Sequence, residues 1–440
     1  MGPKGPGFNG VDAAARLDGA PGRAYRLRER SYPLEQPMID RRRFLSGLVL
    51  PALAPLARAA SGPWQPAELP EGAIASGVLE KLPGKVPLIK RSFRPPNFET
   101  PIELLRDPIT RNDAFFVRYH LSSIPRVDAK TWRLAIGGAA AGGKLEYDLA
   151  TLRKEFEPVE IVAVCQCSGN RRGLFSPHVQ GVEWGVGAMG NARWKGIRLR
   201  DVLRKAGIGK DAVEVAFDGA DGPAMATTPD FVKSLPIDLA LDENTLIAFE
   251  MNGEPLPHWN GFPARLVVPG WTGTYWVKHL TTIDVRSQPL ANFWMATAYR
   301  IPAGKFPQVA AFPSQQTQAN QPITDMVVNS LVTSIHDGHR VRRGQPVEVS
   351  GIAWDGGRGI RDVEVSTDGG RSWVLAELGK DLGRFSFRTF RHVFRPSEAG
   401  QAMVMVRAFN ARGETQATEL VFNPAGYHHN VVPHIRVEVA

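Results

Sequence analysis

Ile161-Val162-Ala163-Val164-Cys165-Gln166-Cys167-Ser168-Gly169-Asn170-Arg171-Arg172 is the stretch on which the reading of this chain turns. A β-branched apolar run carries two cysteines at i and i+2, then breaks at Gly-Asn and ends in two arginines. The run reads as a strand and its end as a sharp turn. Strand residues i and i+2 share a face but lie roughly 6.6 Å apart along it, too far for an unstrained disulfide. A thiol at a strand end beside guanidinium groups is biased towards thiolate, the form a soft metal ligand must take. The same pair also reads as two small buried hydrophobes, and this segment alone does not choose between them.

Two neighbouring regions carry isolated cations. Upstream, Phe115-Phe116-Val117-Arg118-Tyr119-His120 puts Arg118 and His120 on one face of an aromatic strand. Such a pair invites an anion, although a buried arginine taken alone is more readily explained by a carboxylate partner. Downstream come Asn252-Gly253-Glu254-Pro255, Gly261-Phe262-Pro263-Ala264-Arg265, Val268-Pro269-Gly270 and Val277-Lys278. These turns with basic residues between them form a loop-rich wall able to bind phosphate, or else plain surface loops. Gly185-Val186-Gly187-Ala188-Met189-Gly190 matches a dinucleotide fingerprint, but no helix pattern opens inside it, so a nucleotide site is not expected.

Short apolar runs from about 100 to 300 alternate with Gly/Pro turns. Leu199, Val202, Leu203 and Ala206 mark one helix that stops at Gly207. The expected class is therefore α+β. Residues 60–100 are Pro-rich and read as an extended wrapping segment, and 309–322 as a polar linker. Beyond it, Val347-Glu348-Val349-Ser350, Val363–Ser366 and Met403–Ala408 alternate strictly between Asp-Gly-Gly turns at 355–357 and 368–370. Short regular strands with Trp354 and Trp373 as buried candidates predict an immunoglobulin-like sandwich.

The composition bounds the function. Of 440 residues, 43% are apolar and 22% charged, which excludes disorder and fibres; two cysteines exclude a disulfide scaffold or zinc ribbon. Arg41-Arg42-Arg43 followed by an apolar Phe44–Ala57 and by Ala57-Arg58-Ala59 reads as a twin-arginine signal over 38–59, which implies a periplasmic protein. Residues 1–37 read as an untranslated or disordered extension, with Met38 as an alternative start. The net charge of +9 falls to +4 without residues 1–59, leaving 43 basic against 39 acidic residues. No basic groove with interleaved aromatics remains, so no nucleic-acid partner is expected. No apolar run reaches the ~18 residues a membrane anchor needs. The absence of a Cys-x-x-Cys-His site leads us to expect no haem in this chain.

Together these segments resemble the sulfite oxidase family of molybdenum enzymes. Phe115–His120, Cys167–Arg172, Glu183-Trp184 with Arg193–Gly196, Phe217–Gly222, Asn252–Lys278, Trp354 and Asp368–Trp373 occur in that family's order, and the likeness covers about 90–440. It implies a sulfite-oxidase-type molybdopterin domain over 60–310 and an immunoglobulin-like, dimerisation-type domain over 320–440. It further implies a molybdenum-pyranopterin cofactor with Cys167 as thiolate ligand, and a sulfite pocket of Arg118, Arg172 and Tyr299 lined by Trp294. Phe116, Arg118, His120, Asp221, Asn260, Arg265, Trp276, Val277 and Lys278 match cofactor-binding positions. Many members carry His where Asn260 stands, and Asn brings no charge. Sulfite oxidation to sulfate with a c-type cytochrome as acceptor is the implied activity, most similar to bacterial periplasmic sulfite dehydrogenases. Other readings are an enzyme of the same scaffold acting on nitrate, a sulfoxide or a sulfur carrier's adduct, and, from a different class, a cofactor-free periplasmic binding module.

Overall fold

Alternation along Pro158–Gln166 produces the strand that organises the molecule. In the computed structural model, which describes residues 77–303 and 320–440, it pairs antiparallel with Met189–Arg198 from Pro158↔Ile197 to Gln166↔Met189. Leu246–Met251 continues that sheet on the far side of Met189–Arg198 and takes Glu254–Pro255 and Arg265–Val267 as further partners. A second sheet runs Lys233–Pro236, Glu214–Gly219, Leu280–Arg286, Leu134–Gly137, Leu145–Tyr147, with a parallel pairing of 280–286 on 134–137. The twin-arginine signal, the 1–37 extension and most of the polar linker lie outside the described residues.

Strands dominate where an α+β mixture was expected. The helices are short: Leu149–Glu155, Leu199–Ala206 and Ile237–Ala240, with 3-10 turns besides. The reason is the density of Gly and Pro, which breaks apolar runs before a third helical turn can form. The helix Leu199–Ala206 buries Leu199, Val202, Leu203 and Ala206 and ends at Gly207, as its spacing predicts. Asp148 caps the helix Leu149–Glu155 by accepting from Thr151 N–H at 2.7 Å. The Pro-rich segment differs from expectation too. From Val78 it forms three strands, Val78–Lys81, Pro87–Ser92 and Asn97–Glu99, which close a sheet on Val117–Arg118.

The C-terminal residues form two facing sheets. Asn329–Val332, Val347–Trp354, Arg388–Phe394 and Glu377–Leu378 make one; His339–Val341, His434–Val439, Gly400–Asn410, Ile360–Ser366 and Val374–Leu375 make the other. Val349, Val363, Val365, Val404, Val406 and Val437 fill the space between them. Trp354 is fully buried, but Trp373 is only half-buried under the Arg407 guanidinium, 4.0 Å from its ring. A mixed cluster joins Val164, Val186 and Met189 to Leu331, Ile352, Trp354 and Phe387 of the sandwich. Hydrogen bonds cross the same boundary, among them Val164 N–H to Phe385 O (2.9 Å) and Trp354 Nε1 to Gln166 Oε1 (2.6 Å).

Gly185–Gly190 carries no helix start; the strand Met189–Arg198 begins within it. Its glycines are packing devices. A Cβ on Gly187 would lie 1.8 Å from Thr100 O, and one on Gly190 2.5 Å from the Phe115 ring.

Candidate active site

Cys167 stands one residue past the strand end, on a turn pinned from several sides. Its N–H donates to Ala188 O (2.9 Å), its carbonyl accepts from Asn170 N–H (2.9 Å), and Asn170 Oδ1 accepts from Ala188 N–H (3.0 Å). Ser168 Oγ donates to Thr272 Oγ1 at 2.9 Å. Cys165 and Cys167 are both buried, unbridged thiols lining one tight cleft. Burial pushes the Cys165 thiol up to about 11 despite the nearby Arg265 guanidinium, so it is a protonated, inert group.

The sequence expectation that Arg171 and Arg172 flank the ligand thiol is not met. Arg171 adopts a left-handed conformation (φ 69°) and sends its Nη2 to Ser330 O at 2.7 Å. Arg172 Nε donates to Ala425 O (3.1 Å), and its guanidinium lies over Tyr427, 5.1 Å from the ring centre. Neither guanidinium is among the groups that line the cleft, although Tyr427, on which Arg172 lies, is within electrostatic reach of Cys167 and Arg118. Arg118 takes the place beside the sulfur. Its Nη2 donates to the Tyr299 hydroxyl at 3.3 Å, and it lies within electrostatic reach of Cys167. Burial opposes its charge, yet the Tyr299 hydroxyl and Cys167 sulfur outweigh that and push its pKa up.

Of the other residues singled out from sequence, Phe116, His120, Asp221, Asn260, Arg265, Trp276, Val277, Lys278 and Tyr299 line the same cleft. Trp294 does not, but its ring packs 5.3 Å from His120 and 6.2 Å from Tyr299. His120 hydrogen-bonds the Tyr299 hydroxyl and stacks on Phe231 at 3.5 Å. Burial, then Arg118 and Lys278, hold its pKa well below the usual histidine range, so it is neutral. Lys278 donates to Arg118 O and sits over the Tyr119 ring; burial and Arg265 depress its pKa strongly. Asn260 spends its side chain inside the protein, accepting from Lys85 Nζ (2.7 Å) and donating to Phe116 O (3.1 Å).

Sequence reasoning missed two lysines behind this wall. Lys85 donates to Asn112 O, Phe115 O and Asn260 Oδ1, and burial lowers its pKa to about 7. Lys233 donates to Trp294 O at 2.7 Å under the Tyr275 and Tyr299 rings, and burial lowers it likewise to about 7. The only signal was a single lysine inside an apolar run, Phe231-Val232-Lys233-Ser234-Leu235.

Among the lining residues Asp221 is the one carboxylate, set against Arg118, Arg265 and Lys278. Two lining groups keep buried polar atoms without a partner, Arg265 Nε and Thr274 Oγ1. Buried cations with orphaned donors are costly unless an anion is bound. A thiol at one end and surplus donors along the wall fit a polyanionic group attached through a soft metal, which is what a molybdenum-pyranopterin presents.

Comparison with known proteins agrees. Residues 120–294 match the family model described as oxidoreductase molybdopterin binding domain, and 320–440 the Mo-co oxidoreductase dimerisation domain. Mitochondrial sulfite oxidase of Macaca fascicularis is 39% identical over 305 residues, 67% of this chain and 54% of that protein. Sulfite oxidase of Gallus gallus is 34% identical over 358 residues, 78% of this chain and 76% of that one. The sulfane dehydrogenase SoxCD of Paracoccus pantotrophus superposes with a TM-score of 0.67 at 25% identity, covering 79% of this chain and 85% of the other. The chain spans about half the length of the mitochondrial relative and three quarters of the avian one. With its ligand-type cysteine, cationic cleft and C-terminal sandwich, it belongs to the sulfite oxidase family.

Proposed function

We propose that the protein oxidises sulfite to sulfate in the periplasm, at a molybdenum-pyranopterin centre held by Cys167, and passes the electrons one at a time to a c-type cytochrome. The observation that carries this reading is the placement of Arg118, whose guanidinium bonds the Tyr299 hydroxyl within electrostatic reach of Cys167, inside a cleft with surplus positive charge. When bound, the cofactor supplies the oxygen transfer and two-electron redox step that side chains do not.

The chain's own residues then have distinct tasks. Arg118 holds the substrate's oxygens, and its raised pKa keeps it charged at any working pH. Tyr299 is fixed between Arg118 and neutral His120, so its hydroxyl is oriented before substrate arrives. Arg265, Lys278 and the Thr274 hydroxyl are available to the cofactor's anionic groups. Trp294 and Phe231 enclose His120 and limit water at that end. Phe293, 43% exposed, packs 4.9 Å from Trp294, so an aromatic path leads from the surface to Tyr299, which supports cytochrome docking on this side.

Steady-state kinetics test the substrate. A charge-assisted contact is worth ~1.5–3 kcal/mol, so Arg118→Gln is expected to raise the KM for sulfite about ten- to a hundredfold. An unchanged KM overturns the reading. Anaerobic mixing of sulfite-reduced protein with a periplasmic c-type cytochrome tests the acceptor, and reoxidation by oxygen at the same rate would remove it. Fractionation of cells carrying Lys in place of Arg42 and Arg43 tests export.

A second reading has one observation in its favour. Arg172 is committed to Ala425 O, which leaves a socket with one guanidinium fewer than a free dianion would use best. An uncharged or carrier-bound sulfur substrate fits that socket as well, and turnover with such an adduct exceeding that with sulfite would select it.

A further inference from the structure

On the other side of the Cys167 turn, a cleft of about 820 Å³ opens between the N-terminal body and the sandwich. Its walls are largely apolar, with Leu331, Val332, Ile335 and Val432 from the sandwich side. Its floor is not. Arg171, 3% exposed, reaches this floor with one Nη2 bond to Ser330 O, the Trp354 ring 5.7 Å away and a buried Nε that has no partner. No carboxylate among the described residues faces it, and burial alone draws its pKa down to about 10. His429 lines the same floor, and its Nδ1 is likewise buried without a partner. Three carboxylates, Glu103, Asp337 and Glu419, line the cleft, and Asp337 is held by Arg436; none of them shifts the Arg171 guanidinium.

A buried guanidinium left unpaired costs several kcal/mol, and here the residue also holds a left-handed backbone. An anion is the group that would satisfy Arg171 Nε and a donating His429 Nδ1 together. The apolar walls above them would reject a small hydrated anion and accept a hydrocarbon. We propose that this cleft is a second binding site, which takes an amphipathic monoanion: a carboxylate or sulfonate head against Arg171 and His429, with an aliphatic body along Leu331, Ile335 and Val432. Its occupant would grip the turn that carries Cys167, because Leu174 N–H bonds Arg171 O and Asn170 N–H bonds Cys167 O. The inference does not depend on the reaction proposed above.

The test is calorimetric titration of the full-length protein with octanoate, with acetate and octan-1-ol as single-feature controls. Octanoate is expected to bind saturably and at least about tenfold more tightly than either control, and Arg171→Met to weaken it by about tenfold or more. Because that substitution alters a turn next to Cys167, hydrogen exchange of the unaltered protein provides an independent readout. Octanoate should protect amides in 331–339 and 429–435. No saturable binding, equal binding of acetate, unaffected binding by Arg171→Met, or protection confined to other segments would each overturn the proposal. Phosphatidylcholine vesicles carrying oleic acid form the other arm. Co-sedimentation that Arg171→Met abolishes assigns the same chemistry to a membrane lipid, and octanoate binding without co-sedimentation assigns it to a free acid.

Discussion

The sandwich and the N-terminal body differ in the cations they bury. In the sandwich the interior is valine, and the charges pair outside it: Arg391 with Glu348 at 2.7 Å, Arg407 with Glu364 at 2.6 Å, Arg340 with Glu438 at 2.8 Å. In the N-terminal body Lys85, Lys233 and Arg265 are all at most 4% exposed, and no salt bridge holds any of them among the described residues. A fold selected for stability alone has no use for such groups, since each gives up hydration without a counter-ion. The contrast therefore separates a region built to persist from a region built to receive an anion.

The sharpest way to break this contrast is at the sulfur. Cys167→Ser replaces a soft ligand with a hard, poorly deprotonated one and should lower sulfite turnover by more than about 100-fold, since even outer-shell changes at metal sites cost 10–100-fold. Cys165→Ser, at a protonated thiol, should cost far less. Equal losses in kinetics and in molybdenum content would remove the distinction between the two cysteines.

Next in size is an effect of pH on stability. Lys85 and Lys233 have folded pKa values of about 7, against an ordinary 10.5. Between about pH 7 and 10 the unfolded chain therefore holds more protons than the folded one, so stability must rise with pH, by at most about 1.4 kcal/mol per pH unit for each lysine. Denaturant titrations of cofactor-free protein at pH 7, 8 and 9 should show that rise, and Lys85→Met should flatten it. A flat profile in the unaltered protein would mean that these lysines are already paired.

Two smaller effects probe the sandwich. Val406→Ala should cost about 1–2 kcal/mol through lost burial and a residual cavity, read as a lower Tm with the KM for sulfite unchanged. Arg340→Ala, whose side chain is 85% exposed, should change stability by about 0–1 kcal/mol, and that difference should vanish in high salt.

Much of the site was legible because its signals were local. The Cys167 turn, the Leu199–Ala206 helix and the alternating strands of 347–408 each follow from residues within a few positions of one another. The direction of Arg172 was not legible because it depends on distant packing. Ideal Cβ atoms on Gly169, Gly181 and Gly426 would all fall within 3 Å of its side chain, so three separated glycines make its channel. Lys85 was invisible for the same reason: its partner Asn260 lies 175 residues away. The α+β expectation failed on helix length, which is set by how often Gly and Pro interrupt a run and not by whether helical spacing exists.

The hydrogen bond from Trp354 Nε1 to Gln166 Oε1 joins residues 188 positions apart, one of them next to Cys167. A ribosome makes the chain from the N-terminus, so the back wall of the strand that leads into Cys167 is made long after the strand itself. Until Trp354 and Phe385 emerge, Val164 and Met189 have no cover and Gln166 no partner on that side. Contacts of such long sequence separation form late and slowly. The back wall behind Cys167 is thus closed by residues made well after those that line the cleft.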